Sequence, residues 1–279
     1  MTAPASPARR FFDQTVLVTG ASSGIGEAVA RRFAAEGAKV VLAARSREPL
    51  EALATELRDA GHQAEAVPTD VSDMGAMRAL VELTVEWGGR LDVLVNNAGA
   101  NHRGELGRHT PEQLAQIVQV NLTAPIVLSR LALPHLEQHR GAIVNVASLA
   151  GRIPVVHEAT YSATKFGLRA FTFALAEELR EAGVRVSVVS PGPVDTGFIM
   201  QDLDHVPDLV FSQPMSTADE IAELVIECAV DGRPERMRPR LGGHLATLGY
   251  LFPALRRALL PIMERKGRAA KQRFRERNG

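Results

Sequence analysis

Short, nearly uninterrupted apolar runs recur along the chain at 14–19, 39–44, 64–69, 91–95, 142–147 and 184–190. Between them, apolar residues return every three or four positions, as in Ala28, Val29, Phe33 and Ala34. The short runs suit strands buried on both faces, and the longer periodic stretches suit amphipathic helices. Their alternation predicts βαβ units and one parallel sheet covered by helices on both sides. Two helix starts are explicit: Thr110-Pro-Glu-Gln113 and Thr217-Ala-Asp-Glu220 are capping boxes, the first with proline at the favoured opening position.

Composition adds limits. A chain of 279 residues that is 46% apolar can bury a full core as a single domain. The single cysteine, Cys228, excludes an intrachain disulfide, fits a reducing cytoplasm, and reads as a small apolar residue of the helix after Thr217. No stretch reaches about twenty uninterrupted apolar residues, so no transmembrane helix is expected. Residues 1–13 read as a flexible arm, with no apolar core of signal-peptide length. His135 and His139 share a helix face, but no third ligand accompanies them, so no metal site is expected.

Two segments carry candidate chemistry. After the first strand comes Gly20-Ala-Ser22-Ser23-Gly24-Ile25-Gly26, followed by a helical pattern. A strand, a glycine-rich turn and a helix N-terminus suit a phosphate diester, because backbone can approach it and unpaired N–H groups bind its charge. The same residues match a hydrolase nucleophile elbow, Gly20-x-Ser22-x-Gly24. Only about a dozen residues precede this strand, too few for the strands such a fold needs first. The second segment is Tyr161-Ser-Ala-Thr-Lys165. A lysine four residues after a tyrosine shares its helix face. An ammonium there is expected to draw the hydroxyl below its usual value of about 10, toward acid–base work near neutrality.

With these two segments in place, the chain resembles the short-chain dehydrogenase/reductase family over residues 14–243. The motifs stand in family order: the glycine loop from Thr19, Asp70-Val71, Asn96-Asn97-Ala98-Gly99, Asn121, Ser148, Tyr161-x-x-x-Lys165 and Pro191-Gly192-Pro-Val194-Asp-Thr196. The resemblance implies a Rossmann-like, three-layer α/β/α catalytic domain and a hydride-transferring oxidoreductase acting on a carbonyl or secondary alcohol. It implies Asn121, Ser148, Tyr161 and Lys165 as catalytic residues: tyrosine as acid or base, serine on the reacting oxygen, asparagine holding a water that links the lysine to solvent. It further implies that Gly20, Ser22, Ser23, Gly24, Ile25, Gly26, Asp70, Val71, Asn97, Ala98, Gly99, Pro191, Gly192, Val194 and Thr196 hold the dinucleotide. Tyr161 and Lys165 join that set, Lys165 through the nicotinamide ribose, and Asn96 lies beside the cofactor and helps support the sheet. Relatives of this kind pair through the helices carrying Asn121 and Tyr161, so a homodimer or tetramer is expected.

The second strand ends in Ala44-Arg45, where an acid would select NAD. Arg45 instead favours NADP(H) over NAD(H), because guanidinium matches a 2′-phosphate. The segment 197–216 mixes Phe198, Ile199, Met200, Val206 and Phe211 with few basic groups, and with Val155 and Val156 suggests an apolar substrate. Residues 244–279 form an extension: an apolar helical stretch to Met263, broken by Pro253 and Pro261, then a basic tail. From Leu251 on there are nine Arg/Lys and two Glu, on a chain of net charge zero. Three readings stay open: a solvated tail or subunit contact with the apolar stretch packed on the body, an anionic membrane surface, or, least supported, nucleic acid. The rival to an enzyme is a non-catalytic NADP(H)-binding regulator or scaffold of the same fold.

Overall fold

The computed structural model describes residues 9–200 and 203–278. In chain order the elements are β1 (Thr15–Thr19), α1 (Gly24–Ala35), β2 (Lys39–Ala44), α2 (Arg47–Asp59), β3 (Gln63–Pro68), α3 (Met74–Gly88), β4 (Val93–Asn96), α4 (Pro111–Val118), α5 (Ala124–His139), β5 (Ala142–Val146), α6 (Ala159–Glu178), β6 (Arg185–Pro191), α7 (Gly197–Met200), α8 (Ala218–Asp231), β7 (Glu235–Arg238), α9 (Arg240–Leu251) and α10 (Pro253–Asn278). The sheet is parallel throughout, in the order β3-β2-β1-β4-β5-β6-β7. Strand order reverses between β1 and β4, and the crevice at their carboxyl ends is where such sheets bind ligands.

Alternation along the strands builds two cores. Val16 and Val18 pack with Phe33, Leu50 and Ile221 against α1, α2 and α8. Leu17 points the other way, joining Leu80, Leu128 and Leu136 under α3 and α5. Both capping boxes form: Thr110 and Thr217 each accept at Oγ1 from the N–H of Gln113 and Glu220, and their own N–H groups donate back to the Gln113 and Glu220 side-chain oxygens. Cys228 is fully buried, and burial pushes its thiol up to about 11, as befits a packing residue.

The structure corrects the sequence reading in four places. β7 is a seventh strand that no apolar run announces. Its residues are charged because ion pairs take the place of apolar burial: Glu235 receives Arg152, Arg169 and Ser190, while Arg236 holds Glu227 and Asp231. Residues 1–8 of the expected loose arm lie outside the described residues; within the rest, Phe11 is buried edge-on against Phe33 at 4.8 Å. A boundary at residue 243 falls inside α9. Pro253 does separate two helices, but Pro261 lies within α10, on an exposed face where solvent can reach the freed carbonyl.

The extension is also the reverse of its leading sequence reading. The basic end is docked, and the apolar stretch is exposed. Gly267, Ala270, Lys271 and Phe274 form the inner face of α10, with the Phe274 ring tilted against that of Phe211 at 5.6 Å between centres. Lys271 donates to the carbonyls of Val206 (2.6 Å) and Asp204 (3.2 Å), and Arg268 and Arg275 pair with Asp208 and Asp204. A Cβ at Gly267 would stand 1.9 Å from the Asp208 carbonyl oxygen, so only glycine permits this approach.

Candidate active site

The glycine loop after β1 is shaped by its neighbours. Gly20 and Gly24 take positive φ (67° and 57°), and a Cβ at Gly26 would lie 2.1 Å from the Gly20 carbonyl oxygen. Only glycine fits such a turn. Asn97, at the end of β4, clamps the loop by donating from Nδ2 to the carbonyls of Thr19 (2.9 Å) and Gly20 (3.2 Å). The backbone N–H groups of Asn97 and Ala98 in turn donate to Thr19 Oγ1. Ser23 is the N-cap of α1 and its side chain makes no cap bond, so the first-turn N–H groups face the crevice edge as an anion cradle. Gly24 lies against Thr196, where a Cβ would come within 3.2 Å of the threonine methyl, so the segment after β6 closes the far side. Gly192 N–H donates to Arg238 at 2.7 Å, and Val194 bridges to Ser216, which fixes that segment. Pro191 ends β6, and Ile25 packs partly buried against the core beneath the loop.

At the neighbouring strand ends, Asp70 accepts from the N–H and hydroxyl of Ser72, which hold its carboxyl low with help from the Arg45 charge. Val71 beside it is buried. Arg45 is exposed at the tip of β2, whereas Arg47 is drawn onto Glu51 at 2.8 Å. Asn96 is not at the crevice. It points into the helical layer, donating to Asn145 (2.8 Å), and Asn145 donates to Thr172 (2.9 Å). Alternation along β4 turns Asn97 outward and its neighbour inward, so the expectation of Asn96 beside a cofactor is corrected.

The four expected catalytic residues come from three places in the chain, the turn after β5, α6 and a π-turn, and meet at one rim. Ser148 follows β5 and caps a short turn by accepting from Ala150 N–H at 3.1 Å. Tyr161 and Lys165 lie on the buried face of α6. Asn121 sits in a π-turn, Gln119–Thr123, between α4 and α5. That insertion swings its amide onto the backbone of Ala100, with two bonds of 2.8 Å, and onto Thr164 at 3.3 Å. A Cβ at Gly99 would stand 3.6 Å from Asn121 Oδ1 and 4.0 Å from Lys165 Nζ, so Gly99 keeps open one small space that both side chains border.

Electrostatics at the rim differ from the simple pair. Burial pushes the Tyr161 hydroxyl up to about 12, and the Glu158 carboxylate adds to the rise. A hydrogen bond with Ser148 and the charge of Arg103 act the other way. Burial also pushes the Lys165 ammonium down to about 8. Its Nζ donates to the Val146 carbonyl at 3.0 Å and lies 5.6 Å from the tyrosine ring centre. The expectation that Lys165 draws the tyrosine below its ordinary value is therefore corrected: burial dominates both groups.

Sequence reasoning missed Arg103 and Glu158. They form a nearly buried ion pair of 3.0 Å at the mouth, with Arg103 5.1 Å from the Phe198 ring centre and donating to the Phe198 carbonyl. Glu158 stands three residues before Tyr161 and could have been suspected, but nothing local marks Arg103, which lies far away in sequence. A cavity of about 230 Å³ opens beside Tyr161, lined by His102, His109, Leu114, His157 and Glu158. It is not the apolar cleft expected from 197–216, since Ile199, Val206 and Phe211 turn inward onto Phe274 to form a small core of their own. Phe198 and Met200 remain exposed, while Val155 and Val156 line a separate, largely apolar cavity of about 510 Å³ with Pro154, Phe166 and Tyr250.

Comparison with known proteins agrees with this geometry. A family model described as short chain dehydrogenase matches residues 14–206. The chain is 39% identical to the ketoacyl reductase HetN of Nostoc sp. over 215 residues, 76% of this chain and 75% of that protein. A variant of actinorhodin polyketide ketoreductase solved with NADPH is similar at TM-score 0.75 and 35% identity, covering 81% of this chain and 95% of that one. A short chain dehydrogenase of Burkholderia cenocepacia solved with NADP gives TM-score 0.76 and 34% identity, covering 82% and 97%. With its glycine cradle at the β1/β4 crevice and its Asn-Ser-Tyr-Lys rim, the chain belongs to the short-chain dehydrogenase/reductase family of oxidoreductases.

Proposed function

We propose that the protein is an NADP(H)-dependent reductase of a ketone in an acyl chain, with Tyr161 as the proton donor. The observation that carries this reading is the meeting of Tyr161, Ser148 and Lys165 at the open rim beside the glycine cradle. The loop fits a dinucleotide, because the positive-φ glycines Gly20 and Gly24 and the close packing of Gly26 on the Gly20 carbonyl make a tight turn that opens on the N-terminus of α1 at the β1/β4 crevice. Arg45, exposed and next to Asp70, suits a 2′-phosphate; the NADP and NADPH complexes of the similar structures support that preference. When bound, the nicotinamide supplies the hydride.

The chain's own residues do the rest. A tyrosine held near 12 stays protonated at neutral pH and can give its proton to the carbonyl oxygen. Ser148 donates to the same oxygen and stabilises the charge growing there. Lys165 is cationic below about pH 8, steadies the phenolate left behind, and keeps N–H groups for the nicotinamide ribose. Asn121 fixes the backbone at Ala100 and borders the space through which the lysine can be reprotonated. The imidazole-lined cavity beside Tyr161 suits a substrate with polar groups near its carbonyl better than a bare hydrocarbon ketone. The ketoacyl reductase name of the relative from Nostoc fits that chemistry. Pairing of subunits through α4–α5 and α6, and a cytoplasmic site of action, belong to the same reading.

The test is NADPH consumption by purified protein against ketoacyl thioesters and against simple ketones of graded size. The reading expects ketoacyl compounds to be preferred at least tenfold in kcat/KM. NADPH binding without turnover on any carbonyl would overturn it in favour of a cofactor-binding regulator.

A further inference from the structure

α9 is inverted relative to an ordinary amphipathic helix. Its small residues Gly242, Gly243 and Ala246 face the body, while Leu241, Leu245 and Leu248 are 71%, 51% and 42% exposed. The rotation is locked, since a Cβ at Gly242 would lie 2.1 Å from Gln213 Oε1 and one at Gly243 2.0 Å from Met237 Sδ. Leucines at i, i+4 and i+7 therefore form an outward stripe by construction. Phe252, between the helices, is 56% exposed, and Leu259 and Ile262 of α10 are 42% and 59% exposed, so the apolar residues after the stripe also reach the surface. Isolated exposed apolar residues are ordinary, but a helical row of leucines followed by further exposed apolar residues marks a docking surface.

Charge identifies the occupant. No Asp or Glu stands between Arg240 and Met263, while Arg240, Arg256 and Arg257 lie in that stretch and Arg265 and Lys266 follow it. A symmetric contact with a second copy would set this basic patch against itself. An anionic bilayer answers both features, since apolar side chains enter the acyl boundary and arginines meet the headgroups. The docked half of α10 supports this division: its buried Lys271 is held by Asp208 and the carbonyls of Asp204 and Val206, and the exposed Arg268 and Arg275 pair with Asp208 and Asp204. We propose that the leucine face of α9 and the first turns of α10 seat the protein on an anionic lipid surface.

The test is co-sedimentation of the full chain with vesicles of phosphatidylcholine alone and of phosphatidylcholine with phosphatidylglycerol. The inference expects binding to the anionic vesicles, weakened by salt. It expects at least a tenfold loss of partition in Leu245→Glu/Leu248→Glu, with NADPH binding retained as proof of folding. Arg257→Gln/Arg265→Gln, which leaves every apolar contact in place, should lower binding to anionic vesicles and remove its salt dependence. Wild-type protein remaining in the supernatant, or variants that sediment as fully as the wild type, would overturn the inference. So would a leucine variant that changes oligomeric state while the wild type ignores vesicles, because the face would then be a subunit contact.

Discussion

The sheet rim and the C-terminal extension are built by opposite rules. At the rim, backbone does the positioning: strand ends, a π-turn and tight glycines place four side chains from distant parts of the chain around one opening. In the extension, side chains do the positioning. Charged residues are pulled inward onto carbonyls and carboxylates, and leucines are left outside. The rim's geometry yields chiefly to changes in what the backbone can adopt, whereas the extension's geometry is open to point changes of charge and volume.

That contrast can be broken in a graded way. The largest effect is expected from Gly26→Val. Its Cβ would meet the Gly20 carbonyl, and equilibrium binding should show NADPH affinity falling by roughly two orders of magnitude or more, as several kcal/mol of backbone clash would require. Lys271→Met should act next. It leaves the carbonyls of Val206 and Asp204 without their donor, loosening the segment over the site. Substrate titration should then show KM rising about tenfold with kcat little changed, and melting should fall by a few degrees. An unchanged KM would mean that α10 does not govern the loop.

Arg45→Asp sharpens the rim side, with an expected shift of about tenfold toward NADH in the ratio of kcat/KM values. An unaltered ratio would place cofactor choice elsewhere. The mildest effect is that of pH. Lys165 titrates near 8 and Tyr161 near 12, so reduction should decline as pH rises through about 8, while the tyrosine is still protonated. Stability moves the other way in that window. The lysine is charged up to about 10.5 when unfolded but only to about 8 when folded, so the unfolded state binds more protons and folding strengthens as pH rises between them. A rate profile flat to pH 10 would remove Lys165 from the proton-transfer step.

The same contrast explains what the sequence disclosed. The six apolar strands, both capping boxes, the glycine loop and the Tyr161/Lys165 pair are local patterns with local physical causes, and each appears where it was read. β7 escaped notice because an edge strand neutralised by Arg152, Arg169 and Glu227 carries no apolar signature. Arg103 escaped because its partners Glu158 and Phe198 lie far along the chain. The extension was misread because pattern alone assigns leucines to the interior. Gly242 and Gly243 show their meaning only once Gln213 and Met237 are found pressed against them. Burial of Tyr161, which reverses the expected direction of its shift, is likewise a property of the assembled site.

The most direct test of the central claim is Tyr161→Phe, assayed for NADPH binding and for ketoacyl reduction in the same preparation. Removal of one hydroxyl from a preformed site should leave binding within about twofold and lower kcat by roughly two to four orders of magnitude. Turnover near the wild-type rate, or a loss of binding that matches the loss of rate, would contradict the assignment of Tyr161 as the proton donor.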